Sequence, residues 1–229
     1  YAAVAYAAVG LFIVHRVPTS RIGPLLCVVA AADAAAGLAG AYAAYVLTIR
    51  AGEWPFTSVA FKASGPLWVL AFVALTVWLP LLFPDGRPPS RWLRPIAWAG
   101  GVAVGAITLA MLRLGPWTAY DFFEGPPADH PFPRDVTWLF RASDDLQHVL
   151  PWLALATLVP RYVGADATTR AQLRWYLVAA TTIGITTYEA IWAIPSWLSA
   201  LKQVPLVERF PCEGVLTNVS GLRNVAEAA

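Results

Sequence analysis

Charge is what this chain has least of. Only 13% of its 229 residues are Asp, Glu, Lys or Arg, about half the share usual in a soluble domain, which excludes a cytosolic globular protein. A disordered chain is excluded too, because it needs charge and polarity to stay solvated. Cysteine is almost missing: Cys27 falls inside an apolar run and Cys212 in a polar tail, so two free thiols are expected rather than a disulfide scaffold. Histidine occurs three times, at His15, His130 and His148, scattered and without helical pairing, so no metal site is expected. The net charge of +2 is too small a field to argue for nucleic acid as a partner. What the chain does have is apolar surface: 58% of residues are hydrophobic, with 11 Trp and 19 Pro. The fold class this implies is all-α, a polytopic membrane helix bundle with the lipid bilayer as its surroundings.

A bilayer core about 30 Å thick takes roughly 20 apolar residues per helix. Charge is absent from residues 63–84, 95–112 and 146–160, Asp33 alone interrupts 22–49, and Glu189 alone interrupts 175–201. The run 1–14 is also apolar and starts in mid-pattern at Tyr1, so the sequence reads as a fragment. Six spans are expected, at about 1–14, 22–47, 63–83, 95–113, 142–161 and 175–201. The fifth is started at 142 by reading Ser143 as an N-cap with Asp144 and Asp145 in the first turn. Residues 203–229 carry no further span and read as a divergent tail.

Orientation follows from the excess of Lys and Arg left on the cytoplasmic side. Connectors 15–21, 83–95 and 161–174 hold Arg16, Arg21, Arg87, Arg91, Arg94, Arg161, Arg170 and Arg174 against only Asp85 and Asp166. The alternate connectors hold five basic residues against seven acids. The arginine-rich set is therefore expected in the cytoplasm, with both ends of the chain outside. Within it, Pro84-Asp85-Gly86 reads as a tight turn, proline fixing φ and glycine taking a left-handed conformation. Asp166 reads as a helix cap. The longest connector, 113–141, alternates aromatics with prolines and is expected to pack on the outer interface.

Three stretches carry a resemblance: His15-Arg16-Val-Pro18-Thr-Ser-Arg21-Ile-Gly23-Pro24, then Phe83-Pro84-Asp85-Gly86-Arg87-Pro-Pro89-Ser90-Arg91-Trp92, then Arg170-Ala-Gln172-Leu173-Arg174-Trp175. In this order they resemble the N-terminal multi-span sensor region of actinobacterial two-component sensor histidine kinases, over about residues 1–200. The elbow Phe83, Pro84, Asp85, Gly86 and Arg87 is the most specific element. The resemblance implies signal transduction from the cell membrane as a homodimer, with a response regulator as partner of a cytoplasmic kinase domain that this fragment lacks. ATP and Mg would belong to that domain. No cofactor is expected here, and the tail after residue 202 departs from the family pattern.

No catalytic constellation is present. Asp144-Asp145-Leu-Gln147-His148 imitates a phosphoacceptor box, yet its helix runs on into an apolar segment that an ATP-binding domain could not reach. The informative residues are Asp33 and Glu189, since an acid near mid-bilayer costs several kcal/mol unless neutral, paired or facing water. Small or hydroxylated neighbours flank both, so both are expected to face the bundle, as structural or sensing groups. A small transporter or proton-coupled permease using the two acids is the alternative. Trp54, Trp92, Trp98, Trp117, Trp138 and Trp175 read as an interfacial belt.

Overall fold

The computed structural model describes residues 2–49, 56–87, 90–114, 133–180 and 182, and among these the chain is helical without strands. It divides into two compact units, Tyr1–Phe122 with Pro126–Leu173, and Phe123–Gly125 with Arg174–Ala229. In the second unit residues 174–180 are helical. In the first, α1 covers Ala2–Arg16, α2 Ile22–Ile49, α3 Thr57–Val73, and a five-residue π turn, Ala74–Trp78, leads into α4, Leu79–Leu82. Then come α5 (Arg94–Arg113), α6 (Arg134–Ala156) and α7 (Leu158–Gly164), followed by helical residues 167–173.

Among the described residues, three stretches are long and apolar enough to cross a membrane: Ile22–Ala43, Thr57–Leu82 and Arg94–Arg113. Helix α1 has 15 residues, about 22 Å at 1.5 Å per residue, which falls short of a bilayer core. Helix α6 carries Arg134, Asp135, Arg141, Asp144 and Asp145 along its first half. The outside of the bundle is apolar nonetheless. Leu11, Phe12, Leu38, Trp98, Val102 and Leu112 are all exposed, the distribution expected where the solvent is lipid and apolar side chains gain nothing by facing inward.

Neighbours in sequence pack on one another, α1 on α2, α2 on α3, α3 on α5 and α5 on α6. The main core joins Val69, Val73, Val77 and Leu81, one ridge at four-residue spacing, to Ala103, Ile107 and Met111 of α5 and to Leu150 and Ala154 of α6. Without a strong hydrophobic force between helices in lipid, such contacts depend on close approach. Gly10 and Gly23 provide it between α1 and α2: a Cβ on Gly10 would lie 2.9 Å from Cys27 Sγ and 3.0 Å from the Gly23 carbonyl oxygen. Cys27 is a free thiol. The π turn has a local cause as well. Pro80 can neither donate to the ladder nor fit its ring against the preceding turn, and just ahead of it the ladder widens so that Leu79 N–H reaches the Ala74 carbonyl.

Two expectations about the ends of helices are corrected. Ser143 does not cap a helix: α6 begins at Arg134, after Pro133, and Ser143 lies buried in its interior with its hydroxyl donating to the Ala103 carbonyl of α5 at 3.0 Å. The acids after it follow the serine along the helix, and the opening signal is Pro133 with Asp135 in the first turn. Residues 134–141, placed by sequence in a long connector, are therefore helical. Helix α3 likewise starts at Thr57 rather than 63, taking in Lys62.

Candidate functional site at the elbow end of the bundle

Three connectors meet at one end of the first unit. Phe83 leaves the helix with an extended backbone, the Phe83–Pro84 peptide is cis, and Gly86 N–H donates back to the Leu82 carbonyl at 2.8 Å. Gly86 sits at φ 66°, a conformation that costs a residue bearing Cβ. A Cβ there would also collide with the Ser20 hydroxyl and lie 3.0 Å from Ser20 Cα. The first connector is held against this turn by Arg21 N–H donating to the Gly86 carbonyl at 3.2 Å, and Ser20 Oγ accepts from Ile22 N–H at 3.3 Å, opening α2. Two of the three resembling stretches thus touch, and glycine at 86 is what allows it.

The third connector arrives through Arg161. Its Nη1 donates to the carbonyls of Pro80 at 3.3 Å, Leu81 at 3.1 Å and Phe83 at 2.8 Å. The Pro80 and Leu81 carbonyls belong to the last turn of α4, where carbonyls have no partner within the helix and carry the negative end of the dipole, and the Phe83 carbonyl follows directly after it. One guanidinium from α7 therefore closes the end of α4 in place of a local cap, with Asp85 near enough to act on it electrostatically. Beside it lies a cleft of about 210 Å³ whose lining includes Leu82, Asp85, Arg87, Ser90, Leu93 and Arg161. Just beyond, exposed Trp92 carries the Arg91 guanidinium 5.1 Å from its ring centroid.

Further along, Asp166 is a cap as its sequence suggests: Thr169 N–H donates to its carboxylate at 3.3 Å. That interaction with Thr169 holds the exposed carboxyl below the usual range for aspartate. Arg170 donates to the Ala165 carbonyl at 2.9 Å and lies over the Tyr162 ring.

Of the two acids singled out by sequence, Asp33 is half-buried on α2, next to buried Ala32 and within electrostatic reach of Tyr6 on α1. Glu189 lies outside the described residues, as do Trp54 and Trp117 of the aromatic set; Trp92, Trp98, Trp138 and Trp175 are exposed. His148 is exposed and bonds within its own helix, Nδ1 to the Asp144 carbonyl at 2.8 Å. Among the described residues no group of His, Cys, Asp and Glu is placed to hold a metal. The clamp made by Arg161 was not foreseen. The nearest signal was a cation at the end of an apolar run, and nothing local identifies carbonyls some eighty positions away as its partners.

Comparison with known proteins finds similarity in the tail: a family described as polysaccharide biosynthesis protein matches residues 193–229, which lie outside the described residues. No curated protein and no solved structure matches the chain.

Proposed function

We propose that this chain is the membrane signal-input region of a sensor histidine kinase, crossing the cell membrane six times with both ends outside and working as a homodimer. The observation that carries the reading is the contact between the first two family-like stretches, Arg21 N–H on the Gly86 carbonyl with Ser20 packed on the same glycine. Residues that matter to a loop alone need not meet; these form one unit at the end from which a cytoplasmic domain would be driven. Signalling would be a population shift between two packings of the bundle, transmitted through this end to kinase domains that bind ATP and Mg and pass the phosphoryl group to a response regulator.

The test joins the chain, through an added seventh span that returns to the cytoplasm, to histidine kinase catalytic domains and follows phosphoryl transfer to a response regulator in membranes. Gly86→Val forces a branched side chain into a left-handed backbone, costing about 1–2 kcal/mol. A bias of that size moves a two-state equilibrium about five- to thirtyfold, so kinase output should shift clearly while Val102→Ala, on the exposed face of α5, leaves it alone. Equal output from both variants and the unaltered chain would sink the reading. Half-buried Asp33 favours transport as the second reading, and proton uptake into vesicles that Asp33→Asn abolishes would decide for it. The match of residues 193–229 supports neither.

A further inference from the structure

The elbow cleft has two chemical halves. Leu81, Leu82, Phe83, Pro84 and Leu93 make an apolar wall, while Arg87, Arg161, Ser90 and Asp85 supply the polar groups. Its volume of about 210 Å³ is far above the ~10–15 Å³ that admits one water. The cations are not used up. Arg161 spends Nη1 on the three carbonyls, leaving the Nε and Nη2 donors of its planar fork without a hydrogen bond among the described residues, and the exposed Arg87 side chain also has none there. Two guanidiniums against one carboxylate leave the cleft with a single net positive charge.

We infer that this cleft binds the headgroup of an anionic phospholipid, the phosphodiester on Arg87 and the free edge of Arg161, the first acyl carbons along Leu82 and Leu93. Guanidinium forks match phosphate oxygens in geometry as well as charge, and basic pockets between helices at a cytoplasmic surface suit such headgroups. Three features favour lipid over a free anion: the apolar wall, the position at the end of the spanning helices, and exposed Trp92 beside it, an amphipathic ring of the kind that settles at headgroup depth. Asp85 sets the charge state. With one net positive charge the cleft suits a phosphodiester monoanion better than a dianionic phosphomonoester. The inference stands apart from the signalling role, since a transporter with this elbow would bind lipid in the same way.

The purified full chain in detergent, offered phosphatidylglycerol or phosphatidylcholine and read by native mass spectrometry, tests it. Phosphatidylglycerol should be retained over phosphatidylcholine. Arg87→Gln should lower that retention about fivefold, the effect of one arginine near an anionic surface, while Arg113→Gln at the other end of α5 should not. Asp85→Asn should strengthen retention and extend it to phosphatidic acid. Equal losses from Arg87→Gln and Arg113→Gln would mean a diffuse charge effect and overturn the site. Displacement of the lipid by millimolar inorganic phosphate would also overturn it, assigning the cleft to the free anion.

Discussion

At the residue scale, Arg161 combines two tasks that are usually separate, capping a helix and carrying charge at a membrane end. The consequence is asymmetric. Replacing it by methionine keeps the stem but removes the donors from the Pro80, Leu81 and Phe83 carbonyls, and an unsatisfied buried acceptor costs about 1–3 kcal/mol. Because Arg161 is itself only half-buried, water can replace part of the loss, so Arg161→Met should destabilise the detergent-solubilised protein by about 2–3 kcal/mol. Arg161→Lys should recover part of this, since an ammonium still donates to carbonyls but without the planar fork. Thermal melting of the three proteins gives the ranking, and a methionine variant that melts with the unaltered chain would show that the clamp holds nothing. The turn beside it was legible from Pro84, Asp85 and Gly86, because turn chemistry is local. The clamp was not, because hydrogen bonds spanning 78 to 81 positions leave no mark on spacing.

At the element scale, the junction of α3 and the π turn with α5 rests on one glycine. A Cβ at Gly100 would lie 2.7 Å from Val73 Cγ1 and 3.1 Å from Trp78 Nε1, whose N–H donates to the Ala97 carbonyl at 3.0 Å. Its neighbour Gly101 has open space around it. Gly100→Ala should therefore cost about 1–3 kcal/mol by overpacking, and Gly101→Ala should stabilise by about 0.5–1 kcal/mol through helix propensity. Equal melting temperatures for the two would contradict this packing. Element boundaries were readable where the chain carries its own punctuation. Asp166 was recognised because its carboxylate bonds three residues on. The start of α6 was misread because Ser143-Asp144-Asp145 has cap composition, and only the Ala103 carbonyl across the interface explains why a serine belongs inside that helix.

For the whole molecule, apolar runs located the three helices that are long and apolar enough to cross a membrane among the described residues, because a bilayer imposes its thickness on sequence more strictly than a globular core does. The charge count went further by assigning 15–21, 83–95 and 161–174 to a common side, and Arg21 on Gly86 with Arg161 on Phe83 places those connectors together at one end of the first unit. Which side of the membrane that end faces is open to direct measurement. In a background with Cys27 and Cys212 replaced, a thiol at Asp129 should react with an impermeant reagent in intact cells, and one at Ser90 only after permeabilisation. The reverse pattern would invert the topology. Asp33 marks where sequence reasoning thinned out. Its cost in a bilayer was plain, but its electrostatic reach to Tyr6 depends on how α1 packs against α2, where Gly10 and Gly23 allow a close approach.

The clamp also imposes an order in time. The Phe83 carbonyl is translated 78 residues before the arginine that will satisfy it, and a ribosome adding about 5–20 residues per second needs roughly 4–16 s to cover that distance. For that interval the end of α4 stays open, the Pro80, Leu81 and Phe83 carbonyls left to water or lipid headgroups. The elbow is thus completed late in biosynthesis, and a ribosome pausing between α5 and α7 would prolong the stage at which the nascent bundle is most exposed to quality-control proteases.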